Sequence, residues 1–148
     1  MTTIFDALRA DHDNQRTLID LLEQTEGDSD GRRDLFQRLR AALEAHAGAE
    51  ERYFYVPLME HDKTQDNARH SVAEHKELDD YVERLESYDM SAPQWLITVR
   101  ELKERLLHHL DEEEKEVFPV AGKVLTDDEK ATLAEEYRAD MDRRNGND

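Results

Sequence analysis

His46-Ala-Gly-Ala-Glu50 and His109-Leu-Asp-Glu-Glu113 repeat one pattern, an imidazole with a carboxylate four residues on. In an α-helix, residues four apart stand one above the other on the same face. Both copies extend stripes of apolar residues spaced three and four apart. Leu35, Leu39 and Ala42 precede the first copy; Val99, Leu102 and Leu106 precede the second. Such stripes mark helix faces turned toward a core. A carboxylate buried there is costly unless it is paired or binds a cation. Each copy then leads to an aromatic residue and a proline, Tyr55-Val-Pro57 and Phe118-Pro119.

Two more stripes carry histidines. The first helix is expected to start after Thr2 or Thr3, with Phe5, Leu8, His12, Gln15, Ile19 and Leu22 inward, and to stop before Gly27. The second ends near Pro57. The third lies between about Lys63 and Tyr88, with Val72, His75, Leu78 or Asp79, Val82 and Leu85 inward. Ser91-Ala-Pro-Gln94 reads as a capping serine ahead of a first-turn proline and opens the fourth. Its stripe runs Trp95, Val99, Leu102, Leu106, His109, Glu113 and Val117. Thr126-Asp-Asp-Glu129 is a capping box opening a short fifth helix to about Arg143, with Leu133 and Tyr137 packing.

Four long helices joined by short loops predict an all-α fold, an up-down-up-down antiparallel four-helix bundle with a short C-terminal fifth helix. Residues 1–143 are expected to form a single domain and 144–148 a disordered tail. Counting residues from the turns puts His12, His46 and His75 at one depth, with His109 offset by roughly 6 Å.

Composition narrows the partners. The formal net charge of −17 disfavours nucleic acid and anionic membrane surfaces and favours solubility. The absence of cysteine excludes disulfides, thiolate metal sites and iron–sulfur clusters. No apolar run approaches membrane-span length, and the N-terminus lacks the features of a signal peptide. A cytoplasmic protein is expected, monomeric or weakly homo-oligomeric.

Four inward histidines on four helices, with Glu50 and Glu113 in the same stripes, suit a pair of metal ions. Imidazoles and carboxylates without thiolates favour iron or manganese over zinc. Two octahedral ions need about twelve ligand positions. Four histidines, two bridging glutamates and a bridging oxide or hydroxide supply about ten, leaving about two for an exogenous small molecule.

These residues resemble the hemerythrin-like proteins, also called the HHE cation-binding domain. The resemblance covers about residues 4–120. Its motifs are Asp11-His12, His46-x3-Glu50-Glu51 leading to Pro57, Glu74-His75, and His109-x3-Glu113-Glu114 leading to Phe118-Pro119. It implies a non-haem di-iron centre, two Fe ions with a bridging oxide or hydroxide, held by His12, His46, Glu50, His75, His109 and Glu113. It also implies binding of, or reaction with, O2, peroxide or nitric oxide, with peroxide-decomposing or oxidase activity as possible outcomes. Iron-centre repair is an alternative, although relatives with that role often carry a cysteine-containing segment that this chain lacks. A structural or regulatory metal module is another.

Departures from the family pattern bear on function. Oxygen carriers have a second third-helix histidine four residues from the first; the matching position is Ser71. His70 is five residues from His75, about 140° around a regular helix, and would join the site only through a bulge. Glu113 stands where the oxygen carriers have an aspartate in a longer spacing. These departures favour a reactive site over oxygen storage. Proline follows Glu50 by seven residues but Glu113 by six, which predicts an extra residue bulged near Tyr53–Val56 and leaves Glu51 as an alternative register. Tyr53 shares the helical face of His46 and Glu50, as a core tyrosine or as a phenol that hydrogen-bonds or ligates the metal. His61 and His108 are expected on the surface.

Overall fold

The computed structural model describes residues 1–146. Thr3 opens α1 (Ile4–Glu23) with a capping box: its hydroxyl accepts from the Asp6 N–H while the Asp6 carboxylate accepts from the Thr3 N–H. Ser29 caps α2 (Asp30–Glu50). That helix runs through a π-helical turn, Glu51–Tyr55, into α3 (Val56–Met59). After a short turn comes α4 (Gln65–Ser87). Pro93 occupies the first turn of α5 (Pro93–Glu112), which passes through a second π turn, Glu113–Val117, into α6 (Phe118–Val124). A Thr126–Glu129 capping box opens α7 (Asp127–Arg144).

Four rods result, and they close into a bundle. α1 packs on α2 and α5, and α4 packs on α5 and α3. The described residues contain helices and no strands. α7 lies outside the four rods against α1 and α2. It spans 18 residues and ends at Arg144, one position past the expected end near Arg143. The tail expected over 144–148 falls partly outside the described residues, which end two positions after Arg144 closes α7.

Ser91 does not cap α5. Its N–H and hydroxyl both donate to Asp89 Oδ1, at 2.8 and 2.6 Å, which spends the serine on the preceding turn. Ala92 takes the N-cap position without a side-chain bond. The bundle end is tied instead by buried Arg32. Its guanidinium donates to the carbonyls of Thr25 and Met90, joining the α1–α2 turn to the α4–α5 turn, and lies 4.8 Å from the Trp95 ring centroid.

Two apolar clusters fill the bundle. One contains Ile19, Leu22, Leu39, Leu85, Trp95, Val99 and Leu102. The other contains Ile4, Leu8, Phe54, Tyr55, Leu58, Phe118 and Tyr137. In each of the four rods, the buried histidine falls in sequence between residues of one cluster and residues of the other. A layer of buried polar groups therefore separates two apolar ends. Among the described residues, no helix is long and apolar enough to cross a membrane.

Candidate metal centre

Each rod delivers one buried imidazole: His12 from α1, His46 from α2, His75 from α4 and His109 from α5. The rings pair, with centroids 5.0 Å apart for His12–His46 and for His75–His109. The offset counted for His109 thus does not separate it from His75. Glu50 and Glu113 are buried between the pairs. Glu50 Oε1 lies 3.4 Å from His46 Nε2 and 3.0 Å from His75 Nε2. Glu113 Oε1 lies 3.1 Å from His12 Nε2, and its Oε2 lies 3.7 Å from His109 Nε2. Two four-residue groups emerge, His12–His46–Glu50–Glu113 and Glu50–His75–His109–Glu113, sharing both glutamates.

All four imidazole Nε2 atoms, both Glu50 oxygens and Glu113 Oε1 are buried without a hydrogen-bond partner. They approach one another closely, yet their lone pairs are not aligned for mutual hydrogen bonds. Buried polar groups in native proteins are seldom left so, because each unmet group costs about 1–3 kcal/mol. Donor atoms converging in this way fit cations, and the nitrogen and oxygen set fits iron or manganese.

The outward nitrogen of every ring is engaged. His12 Nδ1 lies 2.7 Å from Glu114 Oε2, which Arg16 also holds at 3.0 Å. His75 Nδ1 lies 3.0 Å from Glu51 Oε1, and His109 Nδ1 lies 2.8 Å from Glu74 Oε1. His46 Nδ1 is 2.5 Å from the Tyr137 hydroxyl, which hydrogen-bonds to Asp11. A proton on Nδ1 facing a carboxylate leaves the Nε2 lone pair turned inward, the tautomer a metal ligand needs.

Electrostatics without a cation show the strain of this layer. Burial lowers the His46 pKa, but the Glu50 and Asp11 carboxylates outweigh it and hold the value at about 9. Burial and the neighbouring Glu50 carboxylate push Glu113 well above the ordinary range. Burial raises Glu50 too, but the neighbouring His46 imidazole carries it well below. Two carboxylates in one buried space do not both ionise without positive charge.

The π turns resolve the register. Glu50 is the last α-helical residue before its π turn, whereas Glu113 is the first residue of its own. That one-residue shift matches the seven-against-six spacing to proline. Glu50 and Glu113 point inward, while Glu51 and Glu114 support the histidines of the neighbouring pairs. The wider turn also changes which tyrosine reaches the glutamates. Tyr55 is buried and its hydroxyl donates to Glu113 Oε2. Tyr53 is instead half-buried, packed on the apolar cluster beside Leu133 and Glu136 of α7. Counting three and seven along an unbroken helix selects Tyr53; one extra residue per turn moves the inward position onward.

His70 lies outside the cage. It is mostly exposed, with Nε2 3.5 Å from Glu74 Oε2 and 3.1 Å from Glu112 Oε1. It reaches the centre only through Glu74, the partner of His109. His108 is likewise exposed. Tyr137, Tyr55 and Gln15 also reach the site, although the sequence marks them only as a packing residue, part of a proline motif and a member of an inward stripe. Gln15 is buried with Nε2 unpartnered, and it lines a small cavity with His46, His75, His109 and Leu78. The cavity has room for about one water-sized molecule.

Residues 3–121 match the model of the hemerythrin HHE cation binding domain. A crystal structure of a hemerythrin HHE cation binding domain-containing protein from Mycobacterium kansasii superposes with a TM-score of 0.89 at 26% identity, covering 99% of this chain and 89% of that one. A protein named DNA nickase from Nostoc sp. is 26% identical over 136 residues, 92% of this chain. This chain spans 38% of that relative's length.

Proposed function

The chain belongs to the hemerythrin HHE cation-binding domain family, and we propose that its buried layer holds two iron ions, with an oxide or hydroxide bridge, and binds or reacts with O2, peroxide or nitric oxide. His12, His46, Glu50, His75, His109 and Glu113 are the proposed ligands, with Glu50 and Glu113 shared between the ions. The carrying observation is that four Nε2 atoms and three carboxylate oxygens converge, buried and unpaired.

Iron bound there would supply electrons, by cycling between ferrous and ferric states, and open coordination positions for a small ligand. The chain does the rest. Glu114, Glu51, Glu74 and the Asp11–Tyr137 pair hold the four rings in one tautomer, and partners of this kind raise ligand basicity. The Tyr55 hydroxyl fixes Glu113. Two apolar clusters exclude bulk water from above and below. The cavity beside His46, His75 and His109 is of water size, which restricts what can approach from that side to very small molecules. Gln15, whose side-chain N–H groups have no other acceptor, donates to the molecule held there.

The DNA-directed name of the Nostoc relative supports no matching role here, because a net charge of −17 repels a phosphate backbone. A cytoplasmic setting and a monomeric or weakly associated state belong to the same proposal.

Gln15→Leu tests the ligand pocket at nearly constant side-chain volume. Nitric oxide should dissociate from the ferrous variant about tenfold faster than from the parent in stopped-flow measurements, the loss of one hydrogen bond of about 1.4 kcal/mol. Equal rates would remove Gln15 from the pocket's function. Mixing the same ferrous protein with O2 sorts the chemistry. A persistent adduct marks a carrier or sensor; rapid oxidation with peroxide turnover marks an enzyme.

A further inference from the structure

The His-x3-Glu spacing of the buried cage occurs twice more on its outer wall. His70 and Glu74 stand four apart on α4, and His108 and Glu112 four apart on α5. α4 and α5 pack side by side, and the two pairs meet across that seam. Glu112 sits between the imidazoles: its Oε1 is 3.1 Å from His70 Nε2 and its Oε2 is 3.0 Å from His108 Nε2. Glu74 Oε2 completes the group, 3.5 Å from His70 Nε2.

From this we infer a second metal site, on the surface, in which His70, Glu74 and Glu112 bind one divalent transition-metal cation, with His108 holding the second oxygen of Glu112. The donor set is one imidazole and two carboxylates, which suits zinc, cobalt or ferrous iron with solvent completing the shell. Ligand atoms at bond lengths of about 2.0–2.2 Å around a tetrahedral ion lie roughly 3.4 Å apart. The spacings of 3.1 and 3.5 Å from His70 Nε2 to Glu112 and Glu74 already approach that figure. One donor atom each from His70, Glu74 and Glu112 falls within 4.8 Å of the others. Simple surface ion pairing would need only one carboxylate per imidazole; here both oxygens of Glu112 and one of Glu74 are gathered on two rings.

The site has a built-in link to the buried layer. Glu74 faces the surface group with Oε2, while its Oε1 accepts from His109 Nδ1 at 2.8 Å. A cation outside therefore shares a carboxylate with a ring that lines the cage. The surface site stands independently of what the cage binds, because none of its residues belongs to the cage groups.

The test is equilibrium dialysis of the purified protein against micromolar Zn2+ in physiological salt with excess Mg2+, followed by metal analysis. The parent should retain about one Zn2+ per chain more than a His70→Ala/His108→Ala double variant, with unchanged iron content and far-UV circular dichroism. His70→Ala alone should weaken that Zn2+ at least about tenfold, and His108→Ala, which frees Glu112, should weaken it less. Both imidazoles are more than half exposed, so removing them leaves the core intact. The difference between parent and variant isolates the outer site whatever the cage contains. Equal zinc content in parent and double variant would overturn the inference.

Discussion

Glu113→Gln should cost the protein about half or more of its bound iron while leaving the metal-free fold intact. Glu113 directs one carboxylate oxygen toward His12, at 3.1 Å, and the other toward His109, at 3.7 Å. It is thus the donor common to both halves of the layer, and a neutral amide cannot bridge two cations as a carboxylate does. In the metal-free protein the same change removes a carboxyl that burial and Glu50 push toward its neutral form. The metal-free variant should therefore melt close to the parent, since a neutral amide replaces a carboxyl whose neutral form is already favoured. Iron analysis and calorimetry on the same sample check both halves. Unchanged iron content would remove Glu113 from the ligand set; a collapse of the metal-free fold would make it a structural residue.

Stripping the metal should lower the melting temperature by roughly 10 °C or more. Four Nε2 atoms and three carboxylate oxygens are left buried without partners, and a cation is the group that satisfies them together. A ligand that binds only the folded state contributes about 4 kcal/mol at a thousand times its dissociation constant. For a chain of this size, each kcal/mol moves the midpoint by about 2–4 °C. Scanning calorimetry before and after chelation, then after iron is restored, measures the effect. Coincident melts would mean that the layer is stable without a cation.

Much of this architecture is legible in the sequence. The three-and-four spacing of Leu8, His12, Gln15 and Ile19, and the equivalent stripes on the other rods, requires helices with one buried face. Histidines in four such stripes meet because a bundle has only one interior, and the structure brings His12, His46, His75 and His109 together there. What periodicity cannot supply is local departure from it. The π turns at Glu51–Tyr55 and Glu113–Val117 each insert a residue, so a count from Glu50 lands on Tyr53 while Tyr55 carries the hydroxyl at Glu113. The unequal spacings to Pro57 and Pro119 were the visible trace of where those turns begin.

Partners at long range were harder to see. Tyr137 lies 91 residues from His46 and reaches it because α7 folds back over α1 and α2. A hydrophobic pattern identifies Tyr137 as a packing residue and says nothing of where its hydroxyl goes. The carboxylates Glu51, Glu74 and Glu114 sit at the margin of the inward stripes, where a solvated residue and a partner for an imidazole Nδ1 look alike in sequence. Ser91 fails as a cap for a related reason: Asp89, two residues earlier, offers its hydroxyl and N–H a charged acceptor.

The shared two-ion layer is tested most directly by counting iron and asking whether the ions are magnetically coupled. Protein expressed with iron supplementation should contain about two irons per chain, and its oxidised Mössbauer spectrum should show a diamagnetic, spin-coupled ferric pair. One uncoupled iron per chain, or no iron retained after gel filtration, would contradict a layer in which Glu50 and Glu113 are held in common.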